Sequence, residues 1–128
     1  MRGLNLIYVA LGGALGAVTR YCLTRLSCRY LGTNFPYATL IVNSLGALLM
    51  GFLFGLFMLS VNKFSESLRL VLIVGFLGGF TTFSAFTLET YRLFANHNPG
   101  LALLNIVLNN GFCLLALGLG INLAKTVS

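Results

Sequence analysis

The sequence predicts an all-α membrane protein with four transmembrane helices, and two observations carry that prediction. The chain has 128 residues, of which 58% are hydrophobic and only 8% are charged, whereas a soluble domain of this length needs a more polar surface. The charged residues also divide the chain into four uncharged windows, residues 3–19, 30–62, 70–88 and 93–124. A crossing helix needs roughly 20 apolar residues, so each window holds one crossing. We therefore expect a single transmembrane domain over residues 1–128, with spans at about 4–23, 37–59, 70–95 and 101–123.

The first two spans are predicted to be packing helices. Span one contains Gly12 and Gly16, and span two contains Gly51 and Gly55, in each case with GxxxG spacing. Small residues let helix backbones approach closely in lipid. A bundle of four such helices leaves little room for a large substrate, which favours a very small permeant or a site shared between subunits.

The third span contains GFLGGFTTFSAFTLE, residues 75–89, which is expected to break the helix. Gly78 and Gly79 each cost about 1 kcal/mol of helix stability relative to alanine, and threonine hydroxyls compete for backbone partners. A break frees carbonyl groups, which a membrane tolerates only if something caps them, for example a buried cation. Phe83 and Phe86 follow on one face, where their ring edges can contact an anion. The alternative is a glycine-assisted helix crossing with core phenylalanines.

Polar residues in spans two and four are the candidate functional residues, because intramembrane polar side chains are costly. Thr39 and Asn43 lie one turn apart, and Asn105, Asn109 and Cys113 repeat every four residues on one face. Each asparagine alone would be explained by an interhelical hydrogen bond. Aligned on two helices, they indicate a track for a polar permeant. Amides, hydroxyls and a thiol donate hydrogen bonds, so the track favours an anion.

The remaining charged residues lie near the span ends. Arg20 ends span one, where it snorkels to the surface or lines a wet entrance. Glu89 is the one acid near the end of a span, and either an ion pair with Arg92 or a place at a pore mouth explains it. The net charge of +6 is scattered rather than clustered, which argues against nucleic-acid binding and for contact with lipid headgroups.

The basic residues also bear on topology, because their distribution shows almost no positive-inside bias. One face carries Arg2, Lys63, Arg69 and Lys125, and the other carries Arg25, Arg29 and Arg92. A chain that inserts both ways can form an antiparallel dimer. Orientation by the few terminal charges is the alternative.

Three segments resemble the Fluc (CrcB) family of fluoride channels: GGALGAVTRY in span one, TLIVNSLGAL in span two and GFLGGFTTFSAFTLE in span three. The match is most specific in span three, and it extends to the length and span number of the whole chain. The resemblance implies a dual-topology, antiparallel homodimer with two anion pores in a bacterial inner membrane. Its implied function is passive export of cytoplasmic fluoride, which protects the cell against fluoride toxicity.

The resemblance also implies roles for individual residues. Backbone carbonyls of Gly78 and Thr81 from both subunits would bind a central structural Na⁺. Phe83 and Phe86 match the aromatic pair that lines the pores. The other residues implied at the pore or its entrance are Asn43, Thr39, Arg20, Asn109 and Cys113.

Two other functions fit parts of the pattern. A small multidrug-type, proton-coupled exporter has a similar length and span number, but it needs a membrane-embedded acid that span one lacks. A structural subunit of a membrane complex would explain the glycines but not the aligned polar residues. The sequence shows no catalytic nucleophile paired with a general base and no metal-ligand cluster, so it gives no support for an enzyme.

Overall fold

Four helical spans make up the computed structural model, which describes residues 2–59 and 64–127. Helix α1 is Arg2–Leu31 and α2 is Tyr37–Leu59. The third span consists of α3 (Glu66–Arg69), a π-helical segment (Leu70–Leu77), α4 (Gly78–Phe80) and α5 (Phe83–Ala95), and the fourth span is α6 (Pro99–Val127). All four spans are long and apolar enough to cross a membrane. The described residues contain no β-strand, so this part of the chain is all-helical.

Two helices run further than the hydropathy predicted. Helix α1 continues to Leu31 instead of ending near Leu23, and α6 continues to Val127 instead of Leu123. Hydropathy marks the part of a helix that suits lipid, whereas arginine and lysine are good helix formers that do not end the helix itself. Lys63, one of the basic residues in the predicted charge distribution, lies outside the described residues.

The third helix is broken, as predicted, and the break falls on the threonines. Thr81 and Thr82 are extended, with φ/ψ of −78°/154° and −145°/117°, whereas Gly78 and Gly79 remain helical. Thr82 then caps α5, because its Oγ1 accepts a hydrogen bond of 3.2 Å from the Ala85 amide. The π-helical segment before the break had no counterpart in the sequence prediction.

Glycines join the spans along two lines, which we call the glycine seams. In the first seam, Gly12 and Gly16 of α1 lie against the backbone of the third span; an added Cβ at either glycine would meet the main chain of Val71 or Phe76. In the second seam, an added Cβ at Gly51 of α2 would meet the Leu117 carbonyl of α6. The prediction that these glycines serve helix packing is confirmed.

The buried core lies between α2 and the third span. Val42, Leu77 and Phe80 form its fully enclosed cluster. Helix α1 contributes little to the interior, since its buried residues are Gly12 and Gly16. Most of the α1 side chains therefore face outward, which suits a helix surrounded by lipid or by another protein chain.

Candidate functional site

A cavity of about 410 Å³ lies beside the break, between α2, α5 and α6. Five of the predicted pore residues line it, and none of the described lining residues is charged. The predicted residues are Asn43, Phe83, Phe86, Asn109 and Cys113. The two phenyl rings lie 5.6 Å apart between centroids at an angle of 48°, so they form a tilted pair at its wall.

Asn43 of α2 holds the extended residue at the break. Its Oδ1 accepts from the Thr82 amide at 2.8 Å, and its Nδ2 donates to the Thr82 carbonyl at 2.9 Å. A carboxamide has the same donor and acceptor groups as a peptide unit, so it can pair with an extended residue at both positions. These two hydrogen bonds satisfy the N–H and the carbonyl of Thr82, which form no helical hydrogen bonds in the extended conformation. They also hold the Asn43 amide at the cavity.

The break removes the usual helical partners of several carbonyls, and those of Gly78 and Thr81 are among them. In a continuous helix, the Thr82 amide would bond to the Gly78 carbonyl and the Ala85 amide to the Thr81 carbonyl. Here the Thr82 amide is taken by Asn43 and the Ala85 amide by the Thr82 hydroxyl. The Gly78 and Thr81 oxygens therefore lack these helical hydrogen bonds, and Gly78 itself is exposed.

Asn105 and Asn109 of α6 face inward, as their spacing predicted. Asn105 is fully buried and Asn109 is 4% exposed. The Nδ2 of Asn109 donates to Asn105 Oδ1 at 2.7 Å, and Asn105 in turn donates to Thr90 of α5 at 2.9 Å. Cys113, one turn further, lies close to the Ser44 hydroxyl of α2.

Thr39 and Arg20 do not line the cavity, although both belong to the predicted set. Thr39 is buried and donates to Glu89 Oε1 at 2.8 Å. The Arg20 Nε donates to the Gly79 carbonyl at 3.1 Å, two residues before Thr81, where the break begins. A guanidinium there places positive charge close to the freed backbone oxygens, and its bond to Gly79 helps to satisfy that end of the broken helix.

The Glu89 carboxylate bonds across helices instead of along its own. The ion pair with Arg92, one of the two alternatives for this acid, does not form among the described residues. Thr39 on α2 offers a buried hydroxyl, whereas Arg92 is exposed and can remain in water. Glu89 and Arg92 both line a second, more polar cavity of about 470 Å³, together with the loop between α1 and α2.

Some contacts at this site were missing from the sequence prediction. The pairing of Asn43 with Thr82 and the bond between Asn105 and Thr90 depend on how the helices are rotated against each other. Periodicity shows which residues share a face, but not which face of another helix they meet. The predicted helix break was a partial signal for the first contact, because a break leaves backbone groups that need a side-chain partner.

Comparisons with known proteins agree with this architecture. The model of a protein family described as CrcB-like protein, Camphor Resistance (CrcB), matches residues 7–121. A protein of Ruminiclostridium cellulolyticum named fluoride-specific ion channel FluC is 44% identical over 98% of this chain and 95% of its own length. Proteins of the same name from Magnetococcus marinus and Shewanella halifaxensis are 44% and 41% identical, over 97% and 91% of this chain and 100% and 92% of their own lengths.

The family match covers nearly all of the four spans, including the broken third span and both glycine seams. The relatives match over comparable lengths, so the likeness is one of whole chains and not of a shared fragment. The chain is a multi-pass membrane protein, and it belongs to the CrcB family.

Proposed function

We propose that this chain forms a fluoride-selective channel, through which cytoplasmic fluoride leaves passively and the cell is protected against fluoride toxicity. The observation that carries the proposal is the uncharged cavity in which the Asn43 amide and the rings of Phe83 and Phe86 meet. The three relatives described above are named fluoride-specific ion channels, and they match nearly the full chain. Those names describe a channel, and the protein is not an enzyme.

The chemistry of the cavity suits a small anion. Fluoride is strongly hydrated, so a pore must replace its water shell with donors at close range. An amide N–H and the positive edges of phenyl rings supply such contacts without a fixed charge that would hold the ion too tightly. We assign Asn43, Phe83, Phe86, Asn109 and Cys113 to the pore lining, and we place Thr39 and Arg20 along its approaches.

The working assembly that we propose is an antiparallel homodimer in lipid, in the bacterial inner membrane, with one Na⁺ at its centre. The open carbonyls of Gly78 and Thr81 fit such an ion, because unwound backbone carbonyls coordinate Na⁺ in other membrane proteins. Gly78 is exposed in one subunit, and an added Cβ there would meet nothing closer than 4.0 Å, so a second copy has room to approach. Bound Na⁺ would neutralise backbone partial charges and hold the two breaks together.

Ion flux from liposomes tests the channel directly. The purified protein is reconstituted, and fluoride and chloride efflux are followed with ion-selective electrodes. We expect fast fluoride efflux with no comparable chloride efflux. Proton-coupled uptake of a cationic dye without fluoride flux would instead establish the multidrug-type exporter, for which neither the acid-free α1 nor the named relatives give support.

The cation is tested by a high-resolution structure of the dimer in sodium salt. We expect density between the two breaks, surrounded by the carbonyl oxygens of Gly78 and Thr81 from both copies. A centre filled by hydrogen-bonded water alone would refute the Na⁺ assignment and leave the flux experiment unaffected.

A further inference from the structure

A chain of hydrogen bonds starts at the helix break and leads away from the cavity. The Thr82 amide donates to Asn43 Oδ1 at 2.8 Å, and Asn43 Nδ2 approaches Asn109 Oδ1 at 3.5 Å. The second distance is long for a hydrogen bond between nitrogen and oxygen, which is usually 2.7–3.2 Å. This N–H of Asn43 is therefore held only weakly, whereas its other N–H bonds firmly to the Thr82 carbonyl at 2.9 Å.

The chain continues from Asn109 into the buried interior, where every distance is short. Asn109 Nδ2 donates to Asn105 Oδ1 at 2.7 Å, and Asn105 Nδ2 donates to Thr90 Oγ1 at 2.9 Å. Thr90 Oγ1 then donates to the Phe86 carbonyl at 2.8 Å. The chain of hydrogen bonds thus ends on the backbone of α5, at the carbonyl of Phe86 itself.

All donors in this chain point the same way, and backbone groups fix that direction. The Thr82 amide can only donate, and the Phe86 carbonyl can only accept. A third constraint lies in the middle, where Asn109 Nδ2 also approaches the Asn105 main-chain carbonyl at 3.1 Å. Reversing one carboxamide would bring two oxygens or two N–H groups face to face at both of its neighbours.

This direction determines what each asparagine offers to the cavity. A carboxamide has two N–H donors, and the Nδ2 of Asn109 is directed at two oxygens of Asn105. Asn109 therefore turns its carbonyl oxygen, an acceptor, toward Asn43. Asn43 and Asn109 both line the cavity, and of these two amides the less firmly bonded donor is the second N–H of Asn43, at 3.5 Å from its acceptor.

We propose that Asn105 is a positioning residue for conduction, which acts through Asn109 to hold the Asn43 amide with one N–H available to the passing anion. Asn105 is fully buried and does not line the cavity, so its effect on the ion is indirect. The inference rests on the proposed function, since it assigns a role within the same pore. Without the side-chain acceptor of Asn105, Asn109 Nδ2 keeps only its longer bond, of 3.1 Å, to the Asn105 main-chain carbonyl. Asn109 can then rotate and turn its own N–H toward Asn43, which removes the acceptor that orients the Asn43 donor.

The test uses the full-length protein in liposomes at less than one channel per vesicle on average. The fraction of vesicles that release fluoride then counts the assembled channels, and the rate in those vesicles reports throughput. We expect Asn105→Leu to lower the rate about fivefold or more, because the loss of a hydrogen bond of ordinary strength has an effect of this size. The fraction of active vesicles should stay close to that of the unsubstituted protein.

Thr90→Val is the second variant, since it removes the acceptor of Asn105, together with the bond from Thr90 to the Phe86 carbonyl, and nearly preserves side-chain shape. It should also lower the rate, and it decides the question if Asn105→Leu does not assemble. Asn122→Leu is the matched control, because Asn122 is exposed on the same helix and makes no hydrogen bond among the described residues.

The outcomes separate the two levels of the proposal. Fewer active vesicles with an unchanged rate would show that Asn105 is only structural, and unchanged values for both variants would show that it has no role. Either result overturns the inference while the channel function stands. Absence of fluoride efflux from the unsubstituted protein and from Asn122→Leu would overturn the proposed function itself.

Discussion

Asn43 stabilises an interrupted helix and also faces the cavity. Two hydrogen bonds of 2.8 and 2.9 Å join its side chain to the Thr82 backbone. The sequence singled out Asn43 because a buried carboxamide in an apolar span needs a reason. It did not reveal the partner, since the meeting of Asn43 and Thr82 depends on the tertiary packing of α2 against the third span. For the same reason the bond from Thr39 to Glu89 was not foreseen.

At the residue scale, we expect Asn43→Ala to destabilise the fold by roughly 2 kcal/mol, because two hydrogen bonds are lost and the half-buried N–H and carbonyl of Thr82 lose their partners. Thermal unfolding in detergent measures the change. Asn122→Ala is the matched control and should unfold at the temperature of the unsubstituted protein, since that side chain is exposed. Equal unfolding temperatures for both variants would show that the bonds to Thr82 contribute little.

At the scale of elements, the four spans were predictable and the details of the third span were not. Uncharged windows and GxxxG spacing indicated the helices and their packing faces. The break was expected at glycines and threonines together, but it lies at Thr81 and Thr82 alone, because Gly79 packs against the Gly13 backbone as part of a regular helix. A glycine that lowers helix propensity can still be helical where a neighbouring backbone leaves no space for a Cβ.

The glycine seams give a prediction with a matched pair of substitutions. In Gly51→Ala the new methyl group would collide with the Leu117 carbonyl of α6, so we expect a loss of about 1–3 kcal/mol in stability. Gly118→Ala lies on α6 with nothing within 4 Å and should be neutral or stabilising by up to about 1 kcal/mol. Thermal unfolding of the two variants compares them. A Gly118→Ala protein that is as unstable as Gly51→Ala would show that glycine matters in α6 for another reason.

At the scale of the whole molecule, much of the single subunit is apolar and exposed. Phe83 at the cavity is 77% exposed, and Leu15, Val18 and Tyr21 of α1 are each 61% exposed. Lipid accounts for apolar exposure of this kind, but Phe83 belongs to the proposed pore, and a second subunit would enclose it. In the sequence, only the balanced charges and the family resemblance predict a dimer, since neither periodicity nor hydropathy identifies a partner.

Antiparallel assembly predicts that each face of the protein is found on both sides of the membrane. In a cysteine-free background, Thr126→Cys marks the face of the termini and Asn34→Cys marks the opposite face. A membrane-impermeant thiol reagent applied to intact spheroplasts should label about half of the copies of each variant, because the chain has almost no orientation bias. Complete labelling of one variant with none of the other would show a single orientation.

The two glycine seams join helices that are not neighbours in the chain. The first seam joins span one to span three, and the second joins span two to span four. The helices of a nascent chain enter the bilayer in sequence order. Spans one and two are therefore inserted before their main packing partners, spans three and four, have been synthesised. The first close helix pair can form only when the interrupted span has entered, and the bundle is completed by the last helix. Assembly of this protein is therefore expected to be largely post-insertional, so a chain truncated after α2 should stay loosely associated and be an early target for membrane proteases.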